Sequence, residues 1–449
     1  MMNRKNRKIL IVTYVFPPYA AVGVYRILKF CKYLPEFGYH PVILTPSAPN
    51  VMARDEGLLA QVARDIPIYR TPSWEPFRAK QATKPKPAAL APAAVAPTAP
   101  STPSLPARLK GWVKDNLSVP DTSMLWNWSG AGVGRKAIRR EKIDIVLSSS
   151  PPQSVHLLGS KLARRSGCPH VVDFRDLWTQ NTSYHERQLS ARLTRRDRNY
   201  ELSVLQRAAA ISVNTATFKR QLLENNDFLT EQKLEVVNNG VDPDDFSPFL
   251  SSAVPNERFT MLYTGSLYGG HRDPEFFLAT LGSWFEARPE LRDRVTVKFV
   301  GNWTPEYVGL IERYNLSEVV EKKDWMPQRE ALAQTFAADL LLLFQGFDPA
   351  LSAAIPRKLY EYMITNKPIL AFAPPGEIPD IIKRYDCGIC LSTTAPEPIF
   401  DVLNRTYDSW QRDREAGNSA APTLRPMPEL ETRSQVAKLA RLCDRLKRA

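Results

Sequence analysis

Short apolar runs alternate with longer amphipathic stretches along most of the chain. The first run, Ile9 to Val15, is continuously apolar and rich in β-branched residues, which is typical of a strand buried on both faces of a parallel sheet. A helix reaching about Phe37 follows, and a second run from Pro41 to Thr45 completes a βαβ unit. Later strands of this half are predicted at residues 66–70, 143–148, 170–174, 210–214 and 233–237, with an arginine-rich helix over 186–209.

The same alternation starts again after residue 240. The turn-rich segment Asn238 to Asp242 separates the two halves and predicts a hinge. We predict a first domain over 1–238, a second over 239–430, and a C-terminal helix over 431–449 that crosses back to the first domain. Two such α/β halves are expected to face each other across a cleft, where ligands commonly bind. Strands of the second half are predicted at 260–264, 295–300, 339–344 and 368–372, and helices at 275–286, 377–385 and 432–448.

Residues 79–106 interrupt this alternation. The stretch consists mainly of Ala, Pro, Thr and Lys, and such a composition cannot bury enough apolar surface to order itself. The predicted strands before and after it need each other as partners in one sheet. We therefore expect a disordered, Pro/Ala-rich insertion within the first domain.

Length and cysteine usage narrow the class of protein. At 449 residues the chain is long enough for two domains of roughly 200 residues. No apolar run approaches the ~18 residues that a membrane-spanning helix needs. The basic start and the apolar run behind it mimic a secretory signal, but Pro17-Pro18 ends the run, so we do not interpret it as one. Five scattered cysteines form no disulfide framework, and a cytoplasmic location is expected.

Positive charge is concentrated in the first half of the chain. The net charge is +17 over residues 1–240 and −4 over residues 241–449, which together give the +13 of the whole chain. A basic half indicates an anionic partner, either phosphorylated lipid, a membrane surface or nucleic acid. We find no nucleic-acid-binding motif, so nucleic acid is not expected. An anionic membrane surface is the expected partner, which predicts peripheral binding at the inner face of the plasma membrane.

A predicted helix near residue 356 carries a candidate anion site. Pro356 suits the first helical position, where its missing N–H has no intrahelical partner. The free amides of a helix start attract anions, so a diphosphate would sit there beside Lys358. Glu361, within the first two turns, would accept both hydroxyls of a ribose. The alternative is an ordinary surface helix, because this residue pattern is common.

Polar residues of the first half follow predicted parallel strands. Asp173, Arg175 and Asp176 come at or just after the end of the strand over 170–174, the edge where open α/β sheets bind ligands. They are candidates for acceptor contact or proton handling, and a buried structural ion pair is the alternative. Gly23 lies in a loop whose small residues would let a ligand approach the backbone, and an ordinary tight turn is its alternative.

Taken together, these segments resemble the glycosyltransferases of family 4, which have the GT-B architecture of two Rossmann-like domains. The resemblance covers nearly the whole chain outside the insertion, and as a set its motifs are quite specific. It is carried by Phe16-Pro17-Pro18 with Gly23 and Arg26, Asp173 to Trp178, Asn239 to Asp242 with Phe246, Tyr263 to Ser266 with Arg272 to Pro274, and Pro356 to Tyr362.

The resemblance implies a fold, a reaction and a set of roles. It implies an α/β chain of the GT-B class and a retaining transferase that needs neither metal nor cofactor. A nucleotide sugar would bind the C-terminal domain, and a glycan or lipid-linked acceptor the N-terminal one, in cell-surface polysaccharide synthesis. The catalytic residues would be Arg272 and Lys358; the donor-binding residues Gly265, Ser266, Ile355, Glu361 and Gly23; and the acceptor-side residues Arg26, Asp173, Arg175 and Asp176.

The chain departs from the family pattern at two places. Members commonly carry two glutamates eight positions apart; Glu361 matches the second, but Ala353 stands at the first, with Asp348 a candidate substitute. Members also carry an Arg and a Lys after the first strand of this domain, where this chain has Ser266 and Arg272. The loss at Ala353 opens a second hypothesis, a catalytically silent GT-B partner in polysaccharide assembly. A phosphorylase of the same architecture is a third, although no lysine-anchored cofactor signature is evident.

Overall fold

The computed structural model describes residues 6–50, 53–73, 118–181, 184, 187, 189–250, 256–267, 272–417 and 422–446. The chain divides into two compact units. The first comprises Met1–Ser212, Asn226–Glu235 and Ala440–Ala449, and the second comprises Val213–Asn225 and Val236–Leu439. The domain limits predicted at 238 and 430 stay predictions. The insertion predicted over 79–106 lies outside the described residues.

A sheet forms the centre of the first unit. Its strands are β1 (Arg7–Thr13), β2 (Tyr39–Pro46), β3 (Ile68–Thr71), β4 (Ile145–Ser150), β5 (His170–Phe174), β6 (Ala210–Val213) and β7 (Leu234–Val236). Their order across the sheet is β3-β2-β1-β4-β5-β6-β7. The central strand β1 pairs in parallel with β2 and β4. Residues Ile9 to Val12 are fully buried, as the continuous apolar run predicts for a strand covered on both faces.

Helices cover this sheet in the order expected of a Rossmann-like fold. Two of them pack closely because small residues lie between them: a Cβ on Gly130 would lie 2.7 Å from the Leu158 side chain, and one on Gly134 would lie 2.7 Å from the Leu162 side chain. The helices between these strands are α1 (Val22–Tyr33), α2 (Trp126–Glu141), α3 (Ser154–Ser166), α4 (Ala191–Arg207) and α5 (Ala216–Glu224).

A second sheet forms the centre of the second unit. Its strands are β8 (Phe259–Thr264), β9 (Val295–Val300), β10 (Val320–Lys323), β11 (Leu340–Phe344), β12 (Ile369–Phe372) and β13 (Gly388–Leu391), in the order β10-β9-β8-β11-β12-β13. Neighbouring strands of this sheet pair in parallel. The helices are α6 (Glu275–Ala287), α7 (Pro305–Arg313), α8 (Gln328–Ala337), α9 (Arg357–Ile364), α10 (Glu377–Arg384), α11 (Pro396–Glu415) and α12 (Thr432–Asp444), whose last residues cluster with the first unit.

Strand β11 separates two hydrophobic cores. Leu340, Leu342 and Phe344 face one core, in which Phe344 stacks on Phe372 with ring centroids 5.3 Å apart. Leu341 and Leu343 face the other, which contains the buried side of α9. This alternation follows from the two-residue period of a strand, and it places α9 against one known face of the sheet.

These two parallel sheets with interspersed helices confirm the predicted α/β class. One local prediction was wrong: Pro356 precedes the helix, with φ −67° and ψ 142°, and α9 begins at Arg357. The residue before a helix adopts extended angles that proline also allows, so the motif was placed correctly but shifted by one position. The sequence pattern did not predict α7, α8, α11 or β10. In the described part of the chain, no helix is both long and apolar enough to cross a membrane.

Candidate functional site

Two glycines bring β8 and β9 together at the carboxyl edge of the second sheet. Gly265 follows β8 with φ +128°, and Gly301 follows β9 with φ +140°, a backbone region that favours glycine. A Cβ on Gly301 would lie 2.3 Å from the Gly265 carbonyl oxygen. The Gly265 N–H donates to the Val300 carbonyl at 2.7 Å. Both positions therefore require glycine. Because Gly265 has no side chain, a side chain from a neighbouring element can pack against its backbone.

That side chain is Lys358, from the first turn of α9. Its Nζ lies 4.0 Å from the centre of the Tyr263 ring and occupies the space where a Cβ on Gly265 would be, 2.3 Å from that position. The Nζ atom is buried and has no hydrogen-bond partner among the described residues. Burial lowers the pKa of Lys358 well below its usual 10.5, and the nearby charge of Arg272 lowers it further. A buried amino group without a hydrogen-bond acceptor is the kind of group that binds an anion.

Tyr362, in the second turn of α9, connects this helix to the end of β8. The Thr264 N–H donates to the Tyr362 hydroxyl at 2.9 Å, and the Thr264 and Tyr362 hydroxyls share a hydrogen bond of the same length. Ile355, just before the helix, is 5% exposed and packs in the core beneath it. The amides that open a helix lack acceptors one turn earlier, which suits an anion beside Lys358. The third amide of α9, that of Leu359, already donates to the Pro356 carbonyl at 3.0 Å.

Glu361 lies one turn further along α9. Its carboxylate forms an ion pair with Arg357 Nη2 at 2.9 Å. Both side chains are largely buried, with Glu361 18% and Arg357 16% exposed. The pair holds the carboxylate in a fixed orientation. Ser266, beside Gly265, uses its carbonyl to accept from the Tyr263 hydroxyl at 3.3 Å. The structure thus brings Gly265, Ser266, Ile355, Lys358 and Glu361 together at one edge, with Arg272 close enough to affect the pKa of Lys358.

Ala353, at the position of the missing family glutamate, and Asp348, its candidate substitute, both make contacts that support the local fold. Ala353 is 2% exposed, and its carbonyl accepts from the Thr215 hydroxyl at 2.8 Å. Asp348 is exposed and its carboxylate accepts from the Ala350 N–H at 2.8 Å, which caps a short 3-10 turn. Asp348 therefore stabilises its own turn, and Ala353 offers no polar side chain.

In the first unit, Arg26 and Asp173 form a buried ion pair in which both carboxylate oxygens accept hydrogen bonds. Arg26 donates through Nε at 3.0 Å and Nη2 at 2.7 Å, and the Ser149 and Ser212 hydroxyls donate to the same carboxylate at 2.7 Å. Burial alone would raise the pKa of Asp173, but Arg26 and the hydroxyls lower it below its usual value. Asp173 is thus part of a buried ion pair, but its partner is Arg26 and not Arg175, as the sequence alternative had it. An acceptor role for Arg26 and Asp173 stays a prediction.

Arg175 occupies the space above Gly23. A Cβ on Gly23 would lie 1.3 Å from the Arg175 guanidinium, so glycine is needed here to admit an arginine of the same unit. The guanidinium donates to the carbonyls of Ser150 and Pro151. Burial lowers the pKa of Arg175 to about 10 and raises that of Asp176. The donor role of Gly23 and the acceptor roles of Arg175 and Asp176 stay predictions.

Further buried polar groups lie in or directly after the strands. Ser148 lies between two buried imidazoles, with Oγ 2.8 Å from His156 Nδ1 and 2.7 Å from His170 Nε2. Burial lowers the pKa of both histidines, that of His170 to about 3, so the group is neutral and serves packing. In the second unit, Gln345 directly follows β11 and is 5% exposed. A polar residue directly after an apolar strand is the signal that would have found it.

Comparisons with known proteins show which fold this chain shares. The model of Glycosyltransferase Family 4 matches residues 94–245. A search of curated proteins found no match. Among solved structures, similarity extends over nearly the full length of both chains, which shows that the fold is shared at low sequence identity.

Three similar structures illustrate the fold. Sucrose-phosphate synthase from Thermosynechococcus elongatus has a TM-score of 0.58 and 12% identity, covering 98% of each chain. Anabaena HepE in complex with UDP and glucose has a TM-score of 0.59 and 14% identity, covering 98% of this chain and 100% of HepE. WaaG, a glycosyltransferase involved in lipopolysaccharide biosynthesis, has a TM-score of 0.55 and 14% identity, covering 96% of this chain and 98% of WaaG. These structural matches show that the chain has the two-domain GT-B fold, and residues 94–245 in addition match the model of Glycosyltransferase Family 4.

Proposed function

We propose that the carboxyl edge of the second sheet binds a nucleotide-sugar donor, from which the enzyme transfers the sugar with retention of configuration and without a metal ion. The observation that carries this proposal is Lys358 Nζ, buried beside Gly265 at the start of α9 without a hydrogen-bond partner in the described chain. A diphosphate supplies the anionic acceptors that such a group and the adjacent helix amides need. Anabaena HepE, solved with UDP and glucose, supports this donor class.

The proposed chemistry uses positive charge that the protein already holds in place. As the bond between the sugar C1 and the diphosphate oxygen breaks, negative charge grows on the leaving nucleoside diphosphate. Lys358, Arg272 and the first amides of α9 stabilise that charge. The acceptor hydroxyl attacks C1 from the same face, and its proton passes to the departing phosphate oxygen. No protein nucleophile takes part in this scheme.

Glu361 is proposed to bind the ribose. A carboxylate can accept hydrogen bonds from two neighbouring hydroxyls, and Arg357 holds this one in a fixed direction at 2.9 Å. Glu361 therefore contributes to the affinity for the nucleotide, whereas Lys358 also acts on the charge that develops during the reaction.

The acceptor is proposed to be a glycan or lipid-linked glycan of a cell-surface polysaccharide, bound by the first unit. WaaG, which acts in lipopolysaccharide biosynthesis, supports this class. Arg175 is the candidate contact in the first unit, because Arg26 and Asp173 are fully buried and satisfy one another.

The first unit is also proposed to bind an anionic membrane surface, which makes the enzyme peripheral at the cytoplasmic face. The residues Trp128, Arg135 and Arg139 lie at i, i+7 and i+11 of α2, on one face of the helix. Trp128 is 77% exposed, and both arginines are exposed, as is Lys136 beside them. An exposed Trp with neighbouring cations suits the interface of anionic lipid.

Vesicle sedimentation tests this surface. Binding to vesicles that contain phosphatidylglycerol is expected to fall with salt, and to weaken by about 1 kcal/mol for each of Arg135→Gln and Arg139→Gln. Trp128→Ser is expected to weaken it more than Trp325→Ser, a change at an exposed Trp of the second unit. Equal binding to neutral vesicles, or no dependence on salt, contradicts the proposal.

A thermal-shift screen against nucleotide sugars and nucleoside diphosphates tests the donor proposal. A ligand at about 100 times its dissociation constant stabilises the folded protein by ~2.7 kcal/mol, which a melting curve resolves. Loss of the shift in Lys358→Ala is expected, while added EDTA is expected to leave it unchanged. Donor binding without any transfer or donor hydrolysis would favour the second candidate, a silent GT-B partner, which the apolar side chain at Ala353 makes plausible.

A further inference from the structure

Unpartnered polar atoms gather at the carboxyl edge of the second sheet. Among the described residues, four buried side-chain atoms without a hydrogen-bond partner lie there: Trp303 Nε1 and Thr304 Oγ1 after β9, Gln345 Oε1 after β11, and Lys358 Nζ in the first turn of α9. Buried polar groups in folded proteins normally find partners within the protein or in bound molecules. Trp303 packs against the core on the face opposite α9, so Gln345 and Lys358 are the two unpartnered groups considered for one polar ligand on the α9 side.

Gln345 lies on the same side of the sheet as α9. Its N–H donates to the Phe372 carbonyl at 2.9 Å, so the residue continues the pairing of β11 with β12. Leu341 and Leu343 face the core that contains α9, and the two-residue period of the strand places Gln345 on that face. Lys358, in the first turn of α9, reaches the same carboxyl edge at Gly265, so Gln345 and the start of the helix lie at one edge and on one side of the sheet.

The unpartnered atom of Gln345 limits the kind of ligand group it can meet. An amide oxygen only accepts hydrogen bonds, and a diphosphate at neutral pH has oxygens that also only accept. A sugar hydroxyl can donate. At the position of the missing family glutamate, Ala353 has an apolar side chain, and the exposed Asp348 carboxylate accepts from the Ala350 N–H of its own turn.

We propose that Gln345 accepts a hydrogen bond from a hydroxyl of the transferred sugar, and so distinguishes a nucleotide sugar from the free nucleoside diphosphate. This inference rests on the proposed donor site and adds a separate contact to it. Lys358 interacts with the diphosphate that both ligands share. Gln345 interacts with the part that only the donor has.

The test compares two affinities in one variant. A panel of UDP, GDP and dTDP, each alone and as its glucose or mannose derivative, first identifies the nucleotide that the wild-type protein binds. Gln345→Leu, close in size to Gln, is then expected to weaken binding of that nucleotide sugar about fivefold and to leave binding of the free diphosphate unchanged. The melting temperature is expected to stay level or rise, because the variant removes an unsatisfied buried oxygen.

Two control variants separate this contact from other effects. Lys358→Ala is expected to weaken both ligands of the pair. Thr280→Val removes another buried polar group of the same unit, whose hydroxyl donates to the Phe276 carbonyl at 2.7 Å, and is expected to leave both affinities unchanged.

The outcomes distinguish the inference from the proposed function. If Gln345→Leu weakens both ligands equally or neither, the sugar contact is wrong while the donor site stands. If the wild-type protein binds no member of the panel, the donor site itself is contradicted, and the contact with it.

Discussion

Each unit of this protein buries a basic side chain, but the two side chains have different surroundings. Arg26 in the first unit donates two hydrogen bonds to Asp173, and two serine hydroxyls donate to the same carboxylate. Lys358 in the second unit has its Nζ against an aromatic ring and a glycine, without a hydrogen-bond partner in the described chain. Burial of a charge is costly unless it is paired. The paired cation therefore stabilises the fold, and the unpaired one indicates where a ligand completes the structure.

The largest expected effect concerns the paired cation. Arg26→Met leaves Asp173 charged and buried without its partner, which is expected to lower the free energy of unfolding by about 3–5 kcal/mol. Urea denaturation measures this. Arg54→Met is the matched control, since Arg54 pairs with Glu56 at the surface, with side chains 58% and 69% exposed, and is expected to cost less than about 1 kcal/mol.

The pH dependence of that difference provides a second check. The folded-state pKa of Asp173 is lowered, so its stabilising contribution is present above the ordinary carboxyl pKa and is lost as the pH falls through the lowered value. The gap between Arg26→Met and wild type should narrow in acid. A gap that stays below 1 kcal/mol at neutral pH contradicts the structural role assigned to the pair.

The next effect concerns turnover. Lys358→Ala is expected to reduce turnover at saturating donor by about 100-fold or more, because the ammonium stabilises charge that develops on the leaving group. Stability should not fall, since the variant removes a buried charge without a described hydrogen bond. Steady-state kinetics on variants checked by circular dichroism measure this, with the exposed Lys383→Ala as control. Unchanged turnover would exclude the catalytic role.

A smaller effect is expected for Glu361. Glu361→Ala is expected to weaken binding of both donor and free nucleoside diphosphate by ~1.5–3 kcal/mol, as for a lost charged hydrogen bond, with less effect on turnover at saturating donor. Titration calorimetry measures both affinities, and the exposed Glu330→Ala is the control. A variant that changes only stability would show that the Arg357–Glu361 pair merely supports the helix.

The smallest effect is a change in protonation. Burial and Arg272 lower the pKa of Lys358. A bound diphosphate should raise this pKa again, so at a pH near the lowered value ligand binding is accompanied by uptake of less than about one proton. Affinity should fall as the pH rises through that value. Calorimetry in buffers of different ionisation enthalpy measures the uptake, which Lys358→Arg should abolish because arginine stays charged. Equal uptake in that variant would assign the proton to another group.

Much of the fold was predictable because its strands are short, apolar runs. The run over Val295–Val300 and the strand His170–Phe174 were predicted with the bounds that the structure has. β10 was missed because its residues are largely exposed and charged, as an edge strand allows. The Pro356 helix start was shifted by one residue, because proline fits both the last extended position and the first helical one.

The candidate site was predictable in part for a related reason. Lys358 and Glu361 follow from local helix geometry, which spacing in the sequence encodes. The pairing of Arg26 with Asp173 joins residues 147 positions apart, and the sequence analysis had considered a pair within the segment 173–176 instead. The contact of Arg175 with Gly23 was likewise hidden, since no local pattern records which side chain fills the space above a glycine.

The amino-acid sequence by itself determined the repeated α/β pattern, the basic first half and the helix start that carries Lys358. These depend on the order of apolar, charged and turn-forming residues within a few positions of one another. Only the tertiary structure decided which buried polar groups are satisfied: Arg26 meets Asp173, and Lys358 lies between Tyr263 and Gly265. It also places Gln345 on the side of the sheet that carries α9. The physical reason is that satisfaction of a buried group depends on all atoms within a few ångströms, and most of these come from distant parts of the chain.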